Sequence, residues 1–322
     1  MKEIERLYKI IKRKQEEGPA WIKDLKEFIV KELKPCPNIV FAYGSRLYSK
    51  LSSPTSNYDL FVIYEKPWFS FKTSPLNYLI SYILPPTVTF KSFKDEKNTF
   101  NTKINYLFYF QAEKETSPSI SDLHIAGRFS KRMALVFANS ERDRDTAVKL
   151  QMNAIWLLTP LCLALLKEEF TTEEFALELL SLSYQAEVRI VERKKVMSLF
   201  EQEKAYYLEL FDTLLHLFFG FYKWGYRIDK DLWRVNLSLE EKRKLYNWYR
   251  LIIYQSRIRS VFRWPKYMIT VEDWLDYILK KLERHTGIRL DLPEHVKQYP
   301  LIFGWPYFIE LIKKGIVKSN IT

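Results

Sequence analysis

The sequence predicts an α+β chain: a small mixed β-sheet first, a mostly helical part after it, and amphipathic helices at the C-terminal end. Two observations carry that prediction. Between residues 38 and 111, apolar runs of strand length alternate with breaks rich in Pro, Asn and Ser, one of them opening on Gly44, whereas residues 146 to 220 keep helical apolar spacing almost throughout. At 322 residues there is room for more than one core, since domains run to roughly 100–200 residues. The expected units are residues 1–144, a helical unit at 145–250, and a basic segment with closing amphipathic helices at 251–322.

Residues 1–33 read as two short helices split by Gly18-Pro19. Ile4, Leu7, Tyr8 and Ile11 form one apolar stripe, and Trp21, Leu25, Phe28, Ile29 and Leu33 the other. Lys34-Pro35-Cys36-Pro37 ends the second helix and feeds an apolar run, Ile39 to Tyr43. The run breaks at Gly44-Ser45, crosses a polar loop, and resumes as Leu60 to Tyr64 directly after Asp59. A glycine followed by serine lets backbone approach a polyphosphate and offers it N–H groups and a hydroxyl. An aspartate at the mouth of the next strand can hold Mg²⁺ beside those phosphates. Each feature alone is ordinary loop chemistry. Together, between two strands, they point to nucleotidyl transfer.

Lys66 to Ser81 is rich in aromatics and interrupted by Pro67 and Pro75. Pro85-Pro86 precedes a strand at Thr87 to Phe93, and a polar loop containing Asp95-Glu96 leads to another at Ile104 to Gln111. Ser117-Pro118 opens a helix over Ile120 to Phe129, with Asp122, Arg128, Lys131 and Arg132 gathered about Gly127. Such cations either reach phosphates or complement the helix dipole from solvent. Met133 to Ala138 reads as the last strand, and ERDRDTAVK as a charged helix start or linker at the unit boundary. In the helical part, Thr171 with Glu174 makes a capping box, and Phe170 with Phe175 a hydrophobic staple. Glu187 and Arg189 then bring charge into apolar surroundings, either as an internal ion pair or facing a site.

Residues 221–255 interleave Trp and Tyr with Lys and Arg, and Arg257, Arg259, Arg263 and Lys266 follow within ten residues. That density suits an anionic headgroup, a polyphosphate or a nucleic-acid backbone. Val271 to Glu283 is amphipathic by spacing. The tail sets Phe303, Trp305, Tyr307 and Phe308 beside Lys313, Lys314 and Lys318, a pattern of an interfacial helix or of a terminal helix docked on the core.

Composition narrows the partners. With 51 basic against 39 acidic residues, the net charge of +12 favours phosphate-bearing ligands. Cys36 and Cys162 fit no metal spacing or disulfide framework, in keeping with a reducing compartment, and four separate histidines make no zinc motif. The mixed-charge N-terminal stretch has no secretory or presequence pattern. The longest apolar run, Ala154 to Leu166, contains Pro160 and is too short to span a bilayer.

Four separated pieces resemble one family, the mitochondrial translocator assembly and maintenance proteins, phosphatidate cytidylyltransferases of the DNA polymerase beta nucleotidyltransferase superfamily. The pieces are FAYGS at 41–45, the lone aspartate of NYDLFVI, LHIAGRFSK at 123–131 and FTTEEFALELLSLSYQAEVR at 170–189. Their order and spacing match the family's. The resemblance implies a nucleotidyltransferase domain, a winged-helix-like domain, and a C-terminal amphipathic helix that meets the membrane. It puts Gly44 and Ser45 on the nucleotide triphosphate with Arg128 and Lys131, Asp59 with Ser45 at the catalytic centre, and Asp59 on the metal; Arg46, next in the turn, is a further nucleotide-binding candidate. Lys266, in PKYMIT, resembles the family's late lysine and joins Arg259 and Arg263 as candidates for the lipid phosphate. The chain departs from the family at Arg46 (glycine), Arg132 (proline) and Glu187 (aspartate), and Asn57 fills the first slot of the superfamily's Asp-x-Asp. Asn57, Glu187, Asp122 or the nucleotide phosphates themselves are the choices for completing the metal site.

The expectation is therefore a Mg²⁺-dependent phosphatidate cytidylyltransferase. CTP and phosphatidic acid would be its substrates, an anionic membrane its partner through the C-terminal helix, and nucleic acid no partner. The protein would be cytoplasmic and peripheral to the membrane. Two rivals stand beside it: a nucleotidyltransferase acting on a protein, small molecule or RNA end, and a degenerate, non-catalytic module binding membrane or nucleic acid.

Overall fold

A computed structural model describes residues 2–48, 57–65, 81–94, 99–185, 193–270, 291–298 and isolated positions beyond 270. The fold is α+β with a mixed five-stranded sheet.

Helix α1 (Lys2–Glu16) buries Leu7, Ile10, Ile11 and Gln15, and α2 (Trp21–Glu32) buries Leu25 and Ile29, the stripes expected from the spacing. The main sheet comprises β1 (Ile39–Tyr43), β2 (Tyr58–Tyr64), β3 (Thr87–Lys94), β4 (Thr99–Phe108) and β5 (Ala134–Ala138), in the order β3-β4-β2-β1-β5. β1 is antiparallel to both β2 and β5; β2 runs parallel to β4, and β3 is antiparallel to β4. Every residue of β1 is buried, which is why its sequence is apolar without alternation. The expected strand Ile104 to Gln111 is divided: β4 stops at Phe108 and α3 (Tyr109–Glu115) begins, with the Gln111 side chain accepting from the Phe108 N–H.

Helix α4 (Leu123–Phe129) lies on one face of the sheet, with Phe129 against Phe41 and Phe61 at centroid distances of 5.4 and 5.5 Å. It starts later than expected because Asp122 is its N-cap, accepting from the His124 N–H. The charged stretch ERDRDTAVK is no linker. It forms the first turns of α5 (Glu141–Leu163), and Ser140 caps that helix by accepting from the Asp143 N–H.

Beyond α5, β6 (Glu169–Thr171) precedes α6 (Thr172–Gln185), α7 (Arg193–Gln202) and α8 (Lys204–Tyr222). The capping box forms as read: the Thr171 N–H donates to Glu174, and the Glu174 N–H to Thr171 Oγ1. Phe170 and Phe175 close the staple at 6.1 Å. The aromatic stretch after residue 221 forms a hairpin, β7 (Gly225–Arg227) and β8 (Leu232–Val235), in a three-stranded sheet ordered β6-β8-β7. Trp233 is buried there and donates to Thr172 Oγ1 at 2.9 Å. α9 (Leu239–Thr270) and α10 (Glu294–Gln298) follow.

The expected boundaries at 144/145 and 250/251 fall inside α5 and α9. One apolar core runs from Leu7 through the sheet to Trp233 and Ile253. α1 packs on α5 and α8, and the Gln15 amide donates to Gln151 and to the Ala147 carbonyl. The amphipathic helix expected at Val271 to Glu283 and most of the aromatic tail lie outside the described residues, as do Asp95-Glu96 and the stretch 66–80. Among the described residues no helix is long and apolar enough to cross a membrane.

Candidate active site

The turn after β1 is built on a backbone shape that excludes side chains. Gly44 sits at φ 86°, ψ −167°, a region essentially confined to glycine. A Cβ placed there would meet Asp59 Oδ2 at 2.7 Å. Glycine is required for both reasons, and the close approach follows from the register, which pairs Tyr43 with Asp59. Ser45 and Arg46 begin a short 3₁₀ turn, Ser45–Leu47, directly after Gly44. Gly44, Ser45 and Asp59 are thus brought together, and all three are partly exposed.

The turn is anchored from the helical part of the chain. Arg132 donates to the Leu47 carbonyl at 3.0 Å and pairs with Glu203, which also pairs with Lys14. The Tyr48 hydroxyl lies 3.0 Å from that of Tyr207, and burial pushes both phenols well above their ordinary pKa. Tyr207 in turn accepts from the Arg132 N–H at 3.1 Å. Arg132, standing where the resembled family has proline, is a strut for the turn rather than a ligand.

The sheet register adds a residue that the sequence reading did not single out. Asp59 pairs with Lys103 on the parallel neighbour β4, so both side chains project from the same face. On that face Phe61 stacks with Tyr43 at 4.6 Å and with Phe129 of α4. Asn105 fixes Tyr43 by donating to its hydroxyl at 2.7 Å and to the Leu60 carbonyl at 3.0 Å. Above this floor, Arg128 lies over the Tyr43 ring at 5.5 Å. Lys131 lies over Tyr184 of α6 at 3.3 Å, and Arg46 over Tyr58 at 4.7 Å. Gly127 makes the α4–α6 approach possible, because a Cβ there would sit 2.7 Å from the Ser183 backbone. One carboxylate, the glycine turn and the cations Lys103, Arg128 and Lys131 therefore lie at one end of the sheet, whereas Arg46 is held on the opposite face, where Tyr58 packs on Trp21 and Phe100.

The metal assignments divide. Asn57 lies just ahead of Asp59, partly buried, while Glu187 is outside the described residues. Asp122 is taken: only 1% exposed, it caps α4 and pairs with Arg259 at 2.6 Å and Arg263 at 2.7 Å. Among the described residues no group of three or more His, Cys, Asp and Glu side chains is assembled to hold a metal. Asp59 supplies one carboxylate at the corner and Asn57, two residues earlier, an amide oxygen; Mg²⁺ sites of nucleotide enzymes commonly use one or two carboxylates with waters and substrate phosphates filling the other positions.

Arg259, Arg263 and Lys266 are not brought to this corner. Asp122 and Arg128 lie at opposite ends of the seven-residue α4, about 9 Å apart along its axis. Arg259 donates to Asp122 and the Ile83 carbonyl, and Arg263 to Asp122 and the Pro85 carbonyl. Lys266 donates to the carbonyls of Leu84 and Pro86. Burial, with Arg263 and Arg259 adding, pushes the Lys266 ammonium down to about 7. These cations clamp α9 onto the chain before β3 instead of facing a substrate.

A groove of about 520 Å³ opens elsewhere, between α3 and α5, lined by Glu113, Arg142, Asp145 and Lys149 among others. Its mixed charges suit no single ligand sign, and it shares no residue with the Gly44–Asp59 corner.

Comparison with models of known protein families gives no match, and comparison with curated proteins finds no significantly similar one.

Proposed function

We propose that the chain is a nucleotidyltransferase that transfers CMP from CTP to phosphatidic acid, giving CDP-diacylglycerol and pyrophosphate at a membrane surface. The observation that carries the reading is the apposition of Gly44 and Asp59, with no room for a side chain between turn and carboxylate. Such a turn admits a polyphosphate to backbone distance while holding an acid beside it. The β6-β8-β7 sheet, in which β6 ahead of α6 pairs with the hairpin that follows α8, supports the winged-helix-like part of the reading, since a strand paired with a later hairpin is the pattern such a domain requires.

In this mechanism a phosphate oxygen of the lipid attacks the α-phosphorus of CTP in line. The bond to the bridging oxygen breaks, and pyrophosphate leaves with the electron pair. Mg²⁺, when bound, neutralises charge on the phosphates. The attacking phosphate is already ionised near neutral pH, so no side chain is needed as a general base. Arg128, Lys131 and Lys103 gather positive charge around the triphosphate, and preorganised charge of this kind supplies most of the acceleration. Arg259, Arg263 and Lys266 hold α9 in place.

The test is pyrophosphate release from CTP, Mg²⁺ and phosphatidic acid vesicles. No release by the folded protein, under conditions where a known cytidylyltransferase works, would remove the proposal. Release without lipid would move it to a soluble acceptor. The single described carboxylate at the corner, with lysine beside it in the sheet, is the observation favouring the second reading, a non-catalytic nucleotide-binding module. That reading predicts CTP binding without turnover.

A further inference from the structure

The middle of α9 is turned inside out relative to an ordinary surface helix. Its inward face carries Arg263 and Lys266, each only 2% exposed, with Ser256 and Ile252. Its outward face carries Leu251, Tyr254, Ile258, Val261 and Phe262, exposed to 54, 65, 39, 53 and 60%. Their spacing of i, i+3, i+7, i+10 and i+11 sets them along one stripe of a continuous helix. Charge goes inward because Asp122 and the carbonyls of residues 83–86 are there to receive it. No such internal reason places five large apolar side chains outside. Monomeric proteins rarely leave so contiguous a patch uncovered.

The patch extends across the clamp. Tyr82 and Ile83, exposed to 51 and 53%, adjoin α9 where Arg259 meets the Ile83 carbonyl, and Tyr82 packs on the exposed Phe110 at 5.2 Å. The stripe is edged by Arg250 and Arg257, both exposed, and two turns earlier on the same side come Arg243 and Lys244, the latter paired with Glu240. No exposed acid stands among Leu251 to Phe262, whose only charged residues are Arg257 and Arg259.

We infer that this face of α9 is a membrane-docking surface that lies in the headgroup layer of an anionic bilayer. Apolar and aromatic side chains enter the acyl boundary while the flanking arginines reach back to lipid phosphates. The charge rim selects this occupant over a second copy of the chain. A two-fold contact through the stripe would bring the arginine edges of two proteins, each of net charge +12, against one another. A nucleic-acid backbone would satisfy the arginines and leave the stripe uncovered. As a statement of where the proposed transferase meets its lipid the inference rests on that reading; as a statement about binding it rests on exposure and charge alone.

The test is co-flotation of the full chain with vesicles of phosphatidylcholine, with and without phosphatidylserine. Binding is expected only with the anionic lipid and should weaken as salt rises. Ile258→Glu with Phe262→Glu should lower the vesicle partition coefficient about tenfold or more, and Arg250→Ala with Arg257→Ala several-fold. In case the double glutamate variant misfolds, a Cys36→Ser, Phe262→Cys protein carrying a polarity-sensitive dye provides a second reading: its emission should shift blue on anionic vesicles. A wild-type protein that does not float, a dye that does not shift, or light scattering showing a dimer that the glutamates dissociate would each overturn the inference. Asp59→Ala must still float, and the glutamate variant must still turn over phosphatidic acid dispersed in detergent. A failure of docking and a failure of the transferase reading therefore give different results.

Discussion

Two aspartates, one near the start of β2 and one capping α4, have opposite fates. Asp122 is only 1% exposed and shares its oxygens among a helix N-terminus, Arg259 and Arg263. Glu115 beside it accepts from the N–H groups of Ser121 and Asp122, and burial followed by the nearby Asp122 charge raises its pKa. Asp59 is partly exposed, pressed against a glycine turn, with cations laid over tyrosine rings around it. Both have basic neighbours, so density of positive charge does not separate a site from a brace. What separates them is exposure of the acid itself. At Asp122 the carboxylate is sealed in with Arg259 and Arg263; at Asp59 it is partly exposed beside a turn that only glycine can make.

The largest test of that contrast exchanges the damage. Asp59→Ala should lower turnover about 10³-fold while changing stability by no more than about 0.5 kcal/mol. Asp122→Ala should cost about 3–5 kcal/mol of stability, because it leaves two arginines buried without their carboxylate. Turnover per folded molecule should survive. Urea unfolding and turnover measured on both proteins check this, and equal loss of turnover with no loss of stability at Asp122 would erase the distinction.

Gly44→Ala comes next. The backbone region costs about 1–3 kcal/mol for a residue with a side chain, and the added carbon must displace the Asp59 carboxylate. Turnover should fall about 10²-fold through misplacement alone. A crystal structure showing Asp59 moved away from the turn would confirm the cause. Lys103→Met should act more mildly, with kcat/KM for CTP about tenfold lower at unchanged stability. An unaffected kcat/KM would take Lys103 out of the corner.

The smallest effect belongs to the clamp. The Lys266 ammonium is pushed from 10.5 to about 7 in the folded chain. Between those values the unfolded chain binds more protons than the folded one, so stability rises as pH climbs from about 7 toward 10.5. Below 7 the cost of burying the charge is fully present. Thermal midpoints of wild type and Lys266→Met should therefore diverge across this window, by a few degrees in favour of wild type as pH rises.

Local features were legible in the sequence. The Thr171–Glu174 box and the strands flanking Gly44-Ser45 depend on residues a few positions apart; the structure has the box and the first strand as read and begins the second two residues early, at Tyr58, so that Asp59 lies within it. Lys103 was not legible, since its approach to Asp59 depends on a parallel pairing that joins β2 to β4 across the intervening β3. Arg259, Arg263 and Lys266 read as a phosphate patch because their partners, Asp122 and the carbonyls before β3, stand more than a hundred residues earlier. The helix α3 was hidden in a strand-like run, Ile104 to Gln111, whose second half turns only once Gln111 caps it.

Gly127 has a consequence for how this protein could be taken apart. The missing methyl at that position is one of the joints at which the sheet-bearing part and the helical part touch, the one beside the pair of Lys131 and Tyr184. Neither half carries the whole corner, so the parts are not interchangeable modules. A chimaera joined near residue 144 would need two foreign surfaces to agree at the scale of one carbon atom, and along the single core that the two parts share.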